Sequence, residues 1–388
     1  MKTPRLWWSA VSFGVVATTI VLSVGLASSE ETEQTGTRAS MRGLFVVLSS
    51  VYRYSLDADA FADTKNHKEI QSKLEALAKN ADQLEAHGGS TLDPSFEFMR
   101  RSLSRDAHEA LEAYTSANYV GARFVLSDIT ENCVTCHTKL PATRPFEAGK
   151  EFLDAINAND FPPTSRAKLQ VATRQFADAM KTYEDVLRSE RISAADLAVF
   201  DVFDNYLSVS VGALNDTHRP VPVLEAFARR PDVPDAVKRD AEAWIASLKS
   251  LNLDATKGKE LAAARGLVEN AMKASASPSD RSHLVDYIAS ITLVHRSLRS
   301  APQDNETTAE AYYLLGVAES HVSRSYWVSE TEHLLDRSIR LAPKSKTAKQ
   351  ALAYLEQYRR SSAHVTPARV VPKEHQVNID ELRKLTES

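Results

Sequence analysis

Cysteine is nearly absent from this chain: two residues among 388, three positions apart. A multi-bridge disulfide framework is thereby excluded, and so is a zinc site built from two cysteine pairs. Glycine (12) and proline (15) are scarce for this length, which argues against a turn-rich all-β chain and for helix. Neither sign of charge dominates. The 47 basic and 51 acidic side chains leave a net charge of −4, and no basic run marks a nucleic-acid footprint. Beyond Ser29 no apolar stretch reaches the roughly 20 residues that a membrane span requires. What is present, 43% hydrophobic and 25% charged residues, is ordinary for a folded chain, and wholesale disorder is not expected.

The amino terminus has the layout of a targeting segment. Lys2 and Arg5 precede an uncharged run from Leu6 to Ser29, after which Glu30, Glu31 and Glu33 begin a polar stretch. Gly25-Leu26-Ala27 supplies the small–x–small pattern of a signal-peptidase site before Ser28. Residues 1–29 therefore read as an export signal, with an uncleaved membrane anchor as the alternative. Ser9, Ser12, Gly14, Thr18, Thr19, Ser23 and Gly25 dilute the apolar run and favour cleavage over anchoring. In either case the folded part is expected outside the cytoplasm, in a periplasm.

Residues 37–140 carry four amphipathic patterns. Met41, Leu44, Phe45, Leu48, Val51 and Tyr52 recur at three-and-four spacing, as do Ile70, Leu74, Leu77, Ala81 and Leu84 ahead of Gly88-Gly89. Asp93-Pro94 reads as an N-cap followed by proline at the first helical position, and Phe96, Met99, Leu103, Ala107, Leu111 and Tyr114 follow. A fourth stripe of Ala122, Leu126, Ile129, Cys133 and His137 begins near Asn118 and stops before Pro141. Four such helices with mostly short connections are expected to pack as an antiparallel up-down-up-down bundle.

The chemistry is concentrated in Cys133-Val134-Thr135-Cys136-His137. C-x-x-C-H is the attachment sequence of a c-type haem. Thiols at i and i+3 reach the two vinyl groups of one porphyrin, and a histidine at i+4 on the same helical face offers its imidazole to the iron. A dithiol redox site would need a βαβ setting with the motif at a helix start. Here the motif ends a helical pattern and no strand pattern surrounds it. Covalent haem c is therefore expected on Cys133 and Cys136, with His137 as the proximal iron ligand.

A four-helix bundle with C-x-x-C-H near the end of its last helix resembles the cytochrome c′ and cytochrome c-556 class. The resemblance covers residues 37–140, about a quarter of the chain. It departs at Thr138-Lys139-Leu140-Pro141, where that class usually shows an aromatic and an arginine, so propionate contacts do not carry over. The resemblance implies a sixth ligand from early in the first helix, where Met41 is the candidate. A Met/His pair closes the iron and suits electron transfer. Met99, His87, His67 and His108 are the other donors weighed. An empty sixth position, as in the high-spin members, would leave a site for a small gas. Such bundles often pair, so a homodimer is left open.

Residues 141–165 contain Pro141, Pro145, Pro162 and Pro163 and read as a linker. Residues 166–360 read as an α-helical hairpin array. Leu169, Phe176, Ala179, Tyr183 and Leu187 resemble the turn and second helix of a tetratricopeptide repeat. Ala311-Tyr312-Tyr313-Leu314-Leu315-Gly316, with Leu334, Leu335, Ile339 and Leu341, resembles another. Glu319 stands where that family has an aromatic. Prolines 220, 222, 231 and 234 suggest an irregular segment, and Glu330 and Glu332 beside His333 read as a solvated helix face. Residues 361–388 read as a polar tail with a short capped helix at Asn378–Glu381.

The expected chain is thus all-α, with a haem-bearing bundle followed by a repeat array that docks a redox partner or another protein. Electron transfer without enzymatic turnover is the leading expectation. A gas-binding haem sensor and a scaffold with a structural haem are the alternatives. No nucleophile elbow, His-Glu-x-x-His or phosphate loop is seen.

Overall fold

The computed structural model describes residues 39–87, 93–142, 146–199, 201–275, 280–300, 303–322, 330–363 and 378–387, and every regular element among them is helical. The expected export signal of residues 1–29 lies outside the described residues. None of the described helices is long and apolar enough to cross a membrane.

Four long helices gather around one apolar core: α1 (39–55), α3 (His67–His87), α4 (Pro94–Thr115) and α5 (Tyr119–Thr138). Leu44 and Leu48 of α1, Leu74 and Leu77 of α3, Ala107 of α4 and Leu126 of α5 are essentially inaccessible. Each such leucine stabilises the cluster by roughly 1.5–3 kcal/mol. Local chemistry sets the helix starts. Asp93 accepts the Ser95 N–H at 3.0 Å ahead of Pro94. Ala117 takes a left-handed φ of 59° to turn the chain, and Asn118 then caps α5 by accepting the Gly121 N–H. The connection after α1 holds a short helix, α2 (Ala58–Ala62), capped by Asp57.

The stretch read as a linker is structured. α6 (Glu147–Ala155) lies within it, and Phe152, Ile156 and Ala158 are buried in the N-terminal core, where Phe152 meets Phe45 edge-on at 5.5 Å. Pro162 and Pro163 start a helix instead of breaking one, Pro163 being the first residue of α7 (Pro163–Ala172). α8 (Phe176–Arg188) completes a hairpin with α7, and α9 (Ala194–Val199) and α10 (Val202–Leu207) follow. α10 runs into a π-helical turn at Ser208–Ala213. Of the proline-rich segment expected to be irregular, Pro220 and Pro222 begin α11 (Pro220–Ala228), because prolines in a first turn cost no intrahelical hydrogen bond, whereas Pro231 and Pro234 lie in the non-helical connection that follows it. The remainder comprises α12 (Asp235–Ser250), α13 (Glu260–Ala274), α14 (Leu284–Ser300), α15 (Asn305–Val322), α16 (Glu330–Leu341), α17 (Lys346–Ala363) and α18 (Ile379–Glu387). Asn378 caps α18, and Leu382 is buried with Leu335, Ile339 and Leu355, so the end of the expected tail packs on α16 and α17.

Polar contacts lock the N-terminal helices onto the array. His295 of α14 meets Asp93 at 2.6 Å, and Arg337 of α16 meets Glu97 at 2.9 Å. Burial alone would raise the Asp93 carboxyl, yet His295 and the Ser95 N–H hold it below its usual range. At the end of α5, the Lys139 ammonium lies 2.8 Å from Glu319 of α15 and 2.5 Å from Glu330 of α16, all three groups nearly inaccessible. Glu330 is therefore not on a solvated face. Burial opposes the charge on Lys139, but its two carboxylates outweigh that and raise its pKa. Burial in turn pushes the Glu319 carboxyl up.

Removing one member of a buried ion cluster leaves uncompensated charge. Lys139→Met is expected to cost about 3–5 kcal/mol in denaturant unfolding. Replacing Lys139, Glu319 and Glu330 together by apolar residues is expected to be neutral or stabilising by roughly 1–4 kcal/mol.

Candidate haem-attachment site

The capped, twenty-residue α5 places Cys133, Cys136 and His137 on one face of its last turns. Cys133 and His137 are buried, Cys136 is half-buried, and the two thiols are free. Burial pushes the Cys133 thiol up to about 12 and the Cys136 thiol up to about 11, so both are neutral. That is the reverse of the lowered thiol that a dithiol redox centre needs. Among the described residues no group of three or more His, Cys, Asp and Glu side chains is arranged to hold a metal ion.

Burial is the main reason the His137 imidazole titrates as low as about 3; Arg174 adds to it, and a hydrogen bond to Ala172 opposes it. Its Nδ1 lies 2.8 Å from the Ala172 carbonyl oxygen. A carbonyl only accepts, so Nδ1 carries the proton and Nε2 keeps its lone pair. Metal-binding histidines commonly show this arrangement, in which a hydrogen bond from one nitrogen orients the other. The donor set therefore fits a haem: two neutral thiols and an oriented imidazole on one helical face. Three cations, Lys139, Arg174 and Arg100, act on the Cys136 thiol against Glu330, and the buried Arg100 Nε has no hydrogen-bond partner among the described residues. Lys139 is already held by Glu319 and Glu330, so Arg100 and Arg174 are the cations that suit the carboxylates a porphyrin carries.

The opposite face of α5 borders a cavity of about 320 Å³. Phe124, Asp128, Glu131, Thr135 and Thr138 line it from α5, and Asp201, Asp204 and Glu319 from the array. It does not touch the Cys133, Cys136 and His137 face. Gly212 of the π-helical turn lies against the end of α5, where a Cβ would come within 2.7 Å of the Thr138 carbonyl. Only glycine permits that approach.

The remaining candidates are dispersed. Met41 is partly buried against the N-terminal core, whereas Cys133 belongs to the array's core. Met99 is buried in α4, beside Arg100. His67 contacts the Ala62 carbonyl and the Tyr119 hydroxyl, each at 3.1 Å. Tyr119 begins α5, about 27 Å of helix from His137. His108 is exposed and pairs with Asp82 at 3.1 Å. The His87 side chain lies outside those described. Sequence reasoning missed Glu319, Glu330, Arg100, Arg174 and the Ala172 carbonyl. The signal for Lys139 and Glu319 was present, since each stands where the resemblances drawn from the sequence lead one to expect another residue type.

Comparison with protein-family models, curated proteins and solved structures finds no match to this chain.

Asp128 gives the cavity a pH signature. Burial, then the neighbouring Asp106, raises its carboxyl to about 6, above the usual value near 3.9. The folded chain thus holds a proton that the unfolded chain has lost, and stability falls as pH rises from about 4 to 6. Asp128→Asn is expected to be more stable than the wild type at pH 7.5, with the gain vanishing near pH 4, in denaturant titrations at both values.

Proposed function

We propose that this chain is an exported monohaem c-type cytochrome that carries electrons, its haem held on the last turns of α5 by Cys133, Cys136 and His137. The observation that carries the reading is the His137 imidazole, which shares a helical face with two neutral thiols while Nδ1 is committed to Ala172. Each thiol would add across a porphyrin vinyl group, sulfur to one carbon and hydrogen to the other, with no net redox change. Bound haem supplies a one-electron couple, and the protein tunes it through axial ligation and burial. The N-terminal segment supports maturation in the periplasm. The bundle's resemblance to the cytochrome c′ and c-556 class is part of the same proposal, with Met41 as the sixth ligand.

The array supports this reading as a cradle. Its repeat-like character is carried by the α7–α8 hairpin and by Gly316 of α15, which lies directly against Leu335 of α16. Residues of α14, α15 and α16 grip the haem-bearing end of the chain's own N-terminal helices through His295, Glu319, Glu330 and Arg337. A redox partner therefore docks on other surfaces of the array or bundle.

In a host able to attach haem, the expected product has a six-coordinate low-spin optical spectrum. Met41→Ala is expected to convert it to a high-spin form. A wild-type spectrum that is already five-coordinate and takes up carbon monoxide readily would replace electron transfer with gas binding. An unchanged Met41→Ala spectrum would remove Met41 as the ligand.

A further inference from the structure

The carbonyl that orients His137 comes from outside the helices that carry the motif. Ala172 ends α7, and the α7–α8 turn that follows is braced on every side. Ala172 and Thr173 are inaccessible. Thr173 donates from its N–H and its hydroxyl to the Leu169 carbonyl, at 3.0 and 2.8 Å. Arg174 adopts a left-handed φ of 60°, donates to the Pro141 carbonyl at 2.8 Å and lies over the Phe176 ring. Gln175 reaches the Phe146 carbonyl at 2.9 Å. From α6, Gly149 presses against the turn so closely that a Cβ would lie 2.2 Å from the Thr173 carbonyl.

We propose that this α7–α8 turn is the positioning element for the axial histidine, so that the array shifts the reduction equilibrium of a haem whose ligands the bundle helices carry. The inference rests on the haem reading above. Nδ1–H donation to a fixed carbonyl locks the ring and raises the basicity of Nε2 as a ligand. A more basic ligand favours the oxidised iron, so loss of the bond shifts the potential upward. The bracing from Pro141, Phe146 and Gly149 shows why a backbone carbonyl can serve: it has no freedom to turn away.

Thr173→Pro tests this directly, because a residue before proline is driven out of the helical region, which swings the Ala172 carbonyl off His137. Thr173→Ala keeps that carbonyl and serves as the control. Haem content of the purified wild type is measured first, and if no haem is attached the proposed function fails. With haem attached, Thr173→Pro is expected to change the reduction equilibrium about tenfold, an upward shift of about 59 mV for one electron. Thr173→Ala is expected to leave the potential in place. A Thr173→Pro potential equal to the wild type's would overturn the proposal. Proton NMR of the full-length wild type gives a second reading that survives poor folding of the variant. The His137 Nδ1–H is expected to exchange slowly with solvent, and rapid exchange would also overturn it.

Discussion

A buried ammonium held by two buried carboxylates joins the parts of this molecule. Lys139 closes α5, two residues beyond the histidine of the C-x-x-C-H motif, and Glu319 and Glu330 come from α15 and α16. Taking these charges out of water is expensive, and the cluster persists only because they meet one another. It therefore specifies one docking arrangement between helices far apart in sequence. Asp93–His295 and Glu97–Arg337 repeat that arrangement at the neighbouring start of α4. That both the end of α5 and the start of α4 meet the array makes the two helices antiparallel.

From this follows the setting of the candidate site. The last turns of α5 are enclosed by the array, which explains the neutral thiols and the strongly depressed imidazole. Enclosure also brings the Ala172 carbonyl to His137, and with it the tautomer that frees Nε2. A site read as belonging to one domain is thus finished by the next. Lys139 and Glu319 are partners in a single contact, and each makes sense only with the other.

Much of the architecture was legible in the sequence because it is local. Asp93-Pro94, Asn118 and Asn378 start helices by short-range hydrogen bonds that a reading of neighbours detects. The three-and-four stripes of α1, α3, α4 and α5 point inward as expected, with Leu44, Leu74, Ala107 and Leu126 buried. The linker reading failed because prolines that open helices look the same as prolines that break them, as at Pro163 and Pro220. The reading of Glu330 failed because its partner lies 191 residues away. The Ala172 carbonyl was beyond sequence altogether, since every residue has one and only the fold selects it.

Whether α5 carries haem is answered most directly by peptide mapping of the matured protein. Trypsin releases residues 124–139, which contain both cysteines and His137. The expected result is one haem mass on that peptide, with Cys133 and Cys136 both resistant to alkylation. Two free, alkylatable cysteines and no added porphyrin, from a host that matures other c-type cytochromes, would contradict the account.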